Sequence, residues 1–198
     1  MTGLRMAAAA AGPLAGIDLA LAPGARGWLR GPAASGKTLV LSLAAGLVLP
    51  HTGSVAVAGA PPAPGRVAML FQNPDYQLLA ATVAEDVALN RASPEAAEAA
   101  LATAGASAFA ESAVGALSPG QRRRAALAGV LAAEPAVALL DTPFAGMEHA
   151  EAAALWTGVA AFTEHRGIAV LASGPPPDGD GLATTWEVAQ WHTQTAGR

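Results

Sequence analysis

The chain has 198 residues, of which 53% are hydrophobic and 13% are charged. This composition excludes a disordered protein, and the length is typical of one domain, residues 1–198, that buries about 70% of its unfolded surface. Without cysteine the chain has no disulfides, thiolate metal sites or cysteine nucleophiles, and a net charge of −4 argues against a nucleic-acid partner.

The first third of the chain is punctuated by glycine and proline turns. An alanine run, Met6–Ala11, follows Arg5, but Gly12 and Pro13 interrupt it, which makes it a poor signal-peptide core. Short strand-like runs are predicted at residues 17–21, 28–30, 54–58 and 67–71. The sequence therefore begins as a set of short strands, and we expect a cytoplasmic chain.

Residues 31–38 read Gly-Pro-Ala-Ala-Ser-Gly-Lys-Thr, a full match to the phosphate-binding P-loop, and they contain the only lysine of the chain. In such a loop backbone N–H groups surround the phosphates, the lysine reaches the terminal phosphates, and the Thr hydroxyl ligates Mg²⁺. A helix is predicted at residues 39–48, stopped by Pro50 and too short to span a bilayer. ATP and Mg²⁺ are the predicted ligands, bound by Gly31, Ser35, Gly36, Lys37 and Thr38.

The pattern becomes helical from Val83, with Ser93 and Pro94 as a predicted helix start. Strands and helices then alternate: helix 119–133, strand 136–141, helix 147–165 and strand 167–172. Alternation of this kind around a P-loop predicts an α/β fold with a parallel sheet and helices on both faces.

A second motif, Leu-Ser-Pro-Gly-Gln, occupies residues 117–121 and precedes a helix. Ser118 is a predicted N-cap and Pro119 the first helical residue, so the helix N-terminus stays open to an anion. The arginine run at residues 122–124 is also typical of an ordinary solvated helix face.

Two further segments accompany these motifs: Phe-Gln-Asn-Pro at residues 71–74 lies between them, and Val-Ala-Leu-Leu-Asp at residues 137–141 follows them. Together the four segments resemble the ATP-binding cassette family. The resemblance covers residues 14–173 and implies a P-loop NTPase core of the RecA-like type. It also implies a small antiparallel β subdomain and a short helical subdomain at about residues 74–134.

The family's site residues carry over to matching positions of this sequence. The resemblance implies that Lys37, Thr38 and Asp141 hold Mg-ATP and that Gln72 contacts the metal and the attacking water. In this family two cassettes pair head to tail. The nucleotide held by the partner would therefore be contacted by Ser118, Gly120 and Gln121.

Residues 72–77, Gln-Asn-Pro-Asp-Tyr-Gln, and residues 82–88, Thr-Val-Ala-Glu-Asp-Val-Ala, are similar to the ATPases of energy-coupling-factor importers for vitamins, cobalt and nickel. This resemblance implies a transmembrane coupling protein, a substrate-binding membrane protein and a position on the inner face of the cell membrane. A generic loop and helix, with Thr82 as N-cap, is the alternative.

The sequence departs from the family at two positions. Thr142 stands where the family has the glutamate that polarises the attacking water, and Ser173 stands at the position of the switch histidine. A hydroxyl accepts no proton at neutral pH, and a positioned general base is worth about 10²- to 10⁴-fold in rate. The departures favour a degenerate partner in an asymmetric pair with a second ABC ATPase subunit, or a non-hydrolysing regulatory or structural subunit.

None of the histidines stands at the position of the missing switch residue, and we expect surface positions for His51, His149, His165 and His192. No aromatic residue precedes Trp28 to stack on adenine, and Trp28 itself is predicted as strand core.

Overall fold

The computed structural model describes residues 3–90, 92–177 and 183–192, so both ends of the predicted domain lie outside the described residues. A small antiparallel sheet has the order β2-β1-β4. Its strands are β1 (Leu4–Ala11), β2 (Leu14–Leu21) and β4 (Thr52–Val57). β1 contains the alanine run, for which no strand was predicted. It is the central strand because it pairs with both β2 and β4, and Leu4, Met6 and Ala9 are buried.

The second sheet is parallel, with the order β5-β6-β7-β3-β8. Its strands are β3 (Arg26–Arg30), β5 (Val67–Leu70), β6 (Val137–Leu140), β7 (Ala169–Ser173) and β8 (Thr184–Glu187). Along β6, Val137 and Leu139 join one core cluster, while Ala138 and Leu140 join the other. The parallel sheet is thus buried on both faces, which confirms the predicted α/β class.

The helices are α1 (Lys37–Ala45), α2 (Val83–Ala88), α3 (Pro94–Thr103), α4 (Pro119–Ala132) and α5 (His149–His165). The N-caps Thr82, Ser93 and Ser118 are confirmed, since each side chain accepts a hydrogen bond from its helix's first turn. The helix predicted at residues 39–48 spans residues 37–45 instead, so the prediction that Pro50 stops it is wrong. Gly46, at φ 74°, ends the helix in the left-handed region.

Strand β8 and the 3₁₀ turn Val188–Trp191 were not predicted. β8 lies beside β3, where Trp186 covers Gly27 so closely that a Cβ there would come within 2.4 Å of the indole ring. Val188 and Trp191 are buried in the core beneath β2. In the part of the chain that the structure describes, no helix is long and apolar enough to cross a membrane.

Candidate nucleotide site

Loops from neighbouring strands meet at the carboxyl edge of the parallel sheet. The P-loop follows β3, Gln72 follows β5, Asp141 follows β6, and Ser173 ends β7. Because parallel strands end at the same edge, these loops border one crevice. A cavity of about 450 Å³ lies there, lined by residues 33–39 together with Gln72, Asp141 and Thr142.

The P-loop is held in a conformation that few residues adopt. Gly31, Ala34 and Gly36 have φ angles of 139°, 60° and 97°. The φ of Gly31 favours glycine at this position, and a Cβ there would also lie 2.8 Å from Ser35 Oγ. Lys37 Nζ donates to the carbonyl oxygens of Gly31 at 2.8 Å and Pro32 at 2.6 Å. The Lys37 ammonium therefore lies inside the loop, where phosphate oxygens would accept its hydrogen bonds.

Asp141 is buried, and its carboxylate accepts hydrogen bonds from two hydroxyls. Thr38 Oγ1 donates to Oδ2 at 2.7 Å, and Ser173 Oγ donates to Oδ1 at 2.6 Å. A hydroxyl beside a carboxylate is the hard oxygen set that Mg²⁺ prefers, so these residues fit the metal. Gln72 lines the same cavity and is exposed to solvent.

The departures from the family are built into this network. Ser173 Oγ accepts from the backbone N–H of Thr142 at 2.9 Å while it donates to Asp141. Thr142 itself has φ 49°, a strained value for a β-branched residue, and its buried Oγ1 has no hydrogen-bond partner. Among the described residues that line the cavity, Asp141 is the only carboxylate. A proton acceptor beyond Asp141 is thus missing from this lining.

The arginine run of α4 is not the ordinary solvated face that the sequence also allowed. Arg123 donates to the carbonyls of Thr142 at 3.2 Å and Gln72 at 3.1 Å. Burial lowers the pKa of the Arg123 guanidinium, and the nearby Asp141 carboxylate opposes that shift. Its neighbours also bind other elements, Arg122 pairing with Asp75 and Arg124 with Glu151. The run ties α4 to the loops of the crevice.

The N-terminal end of α4 is self-contained. Ser118 Oγ accepts from the Gln121 N–H at 3.3 Å, and Gln121 Oε1 accepts from the Ser118 N–H at 2.9 Å, a capping box. Ser118 and Gly120 are exposed, and a Cβ on Gly120 would meet no atom within 4 Å. The residues of this helix end do not line the P-loop cavity among the described residues. They are therefore available to another molecule.

Two positions outside these motifs also bear on the crevice. Trp28 is fully buried, as predicted, and packs with Phe144 and Trp156 under the loop that follows Asp141. His192 was expected only at the surface. Although it is exposed, its Nε2 lies 2.9 Å from the carbonyl oxygen of Ser35 in the P-loop. No sequence signal marked this contact, because residues 35 and 192 lie 157 positions apart and neither β8 nor the 3₁₀ turn after it was predicted.

The family model described as ABC transporter matches residues 14–145. The chain belongs to the ABC transporter family. Members of this family bind ATP. The match confirms the resemblance to the ATP-binding cassette family that the sequence motifs indicated.

Among curated relatives, an ABC transporter ATP-binding protein of Gloeobacter violaceus is 41% identical over 152 residues, covering 68% of this chain and 62% of the relative. The energy-coupling factor transporter ATP-binding protein EcfA of Methanosphaera stadtmanae is 36% identical over 152 residues, covering 68% of this chain and 55% of the relative. The matches thus cover only 62% and 55% of these relatives' length.

Solved structures show the same fold. The cbiO1 structure from Clostridium perfringens, part of the ABC transporter complex cbiONQ, aligns with a TM-score of 0.80 at 23% identity, over 95% of this chain and 86% of that one. A dimeric ATP-binding cassette in a post-hydrolysis state with ADP and Pi aligns with a TM-score of 0.78 at 20% identity, over 94% and 95%. The P-loop NTPase core with its small antiparallel sheet is therefore confirmed.

Proposed function

We propose that this ABC cassette is the ATP-binding subunit of an energy-coupling-factor type importer, and that it is the degenerate member of an asymmetric pair. Its partner would be a second, complete ABC ATPase subunit. The observation that carries this proposal is the hydroxyl pair on Asp141: Thr38 and Ser173 occupy both carboxylate oxygens, and no other carboxylate lines the cavity in the described residues.

The chain's own site is equipped to bind a nucleotide. Lys37 exchanges its loop carbonyls for phosphate oxygens, while Thr38, Asp141 and Gln72 would hold Mg²⁺. Bound Mg²⁺ neutralises phosphate charge. The hydroxyls of Thr142 and Ser173 are poor proton acceptors, so water at this site lacks a general base. Binding without appreciable turnover is the expected result.

The N-terminal end of α4 would serve the partner. Ser118, Gly120 and Gln121 form an exposed helix N-terminus that lies outside the chain's own cavity. Backbone N–H groups and the helix dipole favour an anion at such an end. We assign these residues to the γ-phosphate of the nucleotide that the partner cassette holds.

The membrane side of the proposal depends on the surface around α2. A groove of about 540 Å³ is bordered by β5, α2 and α4, and Gln77, Asp86 and Leu89 are among the residues that line it. Tyr76, Leu79 and Leu89 are exposed large side chains in this region, with 75%, 78% and 62% of their surface accessible. We propose that cytosolic helices of a transmembrane coupling protein bind here, and that a substrate-binding membrane protein joins the complex at the inner face of the membrane.

Replacing Tyr76 with alanine tests this surface. Its ring is exposed, so the variant should fold normally and bind Mg-ATP as the wild type does. Uptake by vesicles that contain the complete transporter should fall. Full uptake after this change would show that the coupling protein binds elsewhere.

Co-purification from the native cell, with the partners identified by mass spectrometry, tests the function as a whole. The proposal predicts recovery of a complete ABC ATPase subunit together with membrane proteins. Recovery of this chain as a homodimer without a membrane protein would instead favour a non-hydrolysing regulatory or structural subunit.

A further inference from the structure

The C-terminal 3₁₀ turn places an imidazole against the P-loop. Nε2 of His192 lies 2.9 Å from the carbonyl oxygen of Ser35. Because a carbonyl only accepts hydrogen bonds, Nε2 must carry the proton and donate. We propose that His192 is a positioning residue, which fixes the P-loop in the conformation that receives the phosphates.

The segment that presents His192 is firmly packed. Val188 is fully buried and Trp191 is 5% exposed, so both the first and the last residue of the 3₁₀ turn are packed in the core. His192 also forms a backbone bridge with Leu14 at the start of β2. The side chain of Leu14 lies under the P-loop, where a Cβ on Gly36 would approach its Cδ1 to 3.0 Å. The imidazole thus contacts the P-loop from a segment that is packed against the core.

The loop needs support that survives nucleotide binding. Ala34 has a φ angle of 60°, which is unfavourable for a residue with a Cβ. The bonds from Lys37 to the carbonyls of Gly31 and Pro32 hold the loop only until the ammonium turns to the phosphates. His192 does not line the cavity in the described residues, so its bond to Ser35 can persist in both states. A loop ordered in advance loses less entropy when the ligand binds.

This inference rests on the proposed nucleotide binding, and calorimetry on the full chain tests it with Mg-ATP, Mg-ADP and inorganic triphosphate as probes. His192→Ala should weaken all of them by the same factor, about fivefold, because one hydrogen bond to the loop is lost. His192→Gln, which keeps an N–H donor, should restore most of the affinity. His51→Ala removes an exposed imidazole elsewhere and is the matched control, with unchanged affinity.

A loss for the nucleotides but not for inorganic triphosphate would overturn the inference, because it would place the ring against the base. Unchanged affinity in His192→Ala, or an equal loss in His51→Ala, would also overturn it. If the wild type binds none of the probes, the proposed function fails, and hydrogen exchange in the ligand-free protein then tests the contact between His192 and the P-loop separately.

Hydrogen exchange in the ligand-free protein tests the positioning without any nucleotide. Backbone N–H groups of residues 33–38 should exchange faster in His192→Ala and at the wild-type rate in His192→Gln, while β6 stays protected in both. Unchanged exchange of the P-loop in His192→Ala would contradict the proposed role.

Discussion

The P-loop crevice and the N-terminal end of α4 are assembled in different ways. The P-loop crevice combines residues far apart in sequence, with Lys37, Asp141 and Ser173 supplied by separate strand ends. The exposed end of α4 is local, since Ser118 and Gln121 complete each other's hydrogen bonds within one turn. Under the proposed function, the crevice lacks a general base at Thr142 and Ser173 while the fold and the P-loop persist. The helix end stays complete because its hydrogen bonds lie within one turn.

The largest expected effect belongs to the helix end. Ser118→Phe should reduce phosphate release by the complex with its partner cassette on the order of 10²- to 10³-fold, because it removes donors aimed at the transition-state charge. Ser93→Phe is the matched control. Ser93 is also an exposed N-cap followed by proline, at the start of α3, and its loss should leave hydrolysis intact. Equal loss in both variants would mean that Ser118 acts only as a helix cap.

Removing the P-loop cation should have the next largest effect, on binding. Lys37→Ala should weaken Mg-ATP binding to the isolated chain by about 10- to 100-fold, since charge-assisted hydrogen bonds to phosphate are lost. Arg5→Ala, which removes one exposed positive charge from β1, should bind as the wild type does. Calorimetry compares both variants with the wild type. Equal affinity of Lys37→Ala and wild type would contradict the assignment of residues 31–38 as a P-loop.

The link between the two parts is Arg123, and its loss should appear as stability. Arg123→Ala should lower the free energy of unfolding by about 1–3 kcal/mol, because the carbonyls of Thr142 and Gln72 lose a charged donor. Arg30→Ala breaks only an exposed pair with Glu187 at 3.6 Å and should cost less than about 1 kcal/mol. Urea denaturation measures both, and similar losses would show that Arg123 is an ordinary surface arginine.

The smallest expected effect is that of restoring the missing carboxylate by itself. Thr142→Glu should recover little hydrolysis at this chain's own site, because groups that act as a unit are not additive and Ser173 still holds Asp141. Single-turnover phosphate release, compared with the Thr142→Glu, Ser173→His double variant, measures this. Full recovery in the single variant would mean that the glutamate alone determines activity.

Local signals in the sequence predicted much of the fold and of the site. The Ser-Pro helix starts, the glycines of the P-loop and the apolar strands 137–140 and 169–173 each carry their conformation in a few adjacent residues. The resemblance to the ATP-binding cassette family implied that Asp141 lies beside Thr38, and the structure brings them together where strands end at one edge of the parallel sheet.

The features that the sequence did not predict depend on distant contacts. The alanines of β1 have weak strand propensity, and their pairing with β2 and β4 determines their conformation. Strand β8 is short and mostly exposed, so it lacks an apolar run. The bonds of Arg123 and His192 join residues 51 and 157 positions apart, which no local pattern reveals.

Steady-state phosphate release by the isolated chain, at Mg-ATP concentrations that saturate its binding, addresses the asymmetry most directly. We expect no release above the background of buffer alone, and turnover only after a complete partner cassette is added, with Ser118→Phe abolishing that turnover. Robust hydrolysis by the chain alone, abolished by Lys37→Ala, would contradict the borrowed site and would mean that another residue supplies the base.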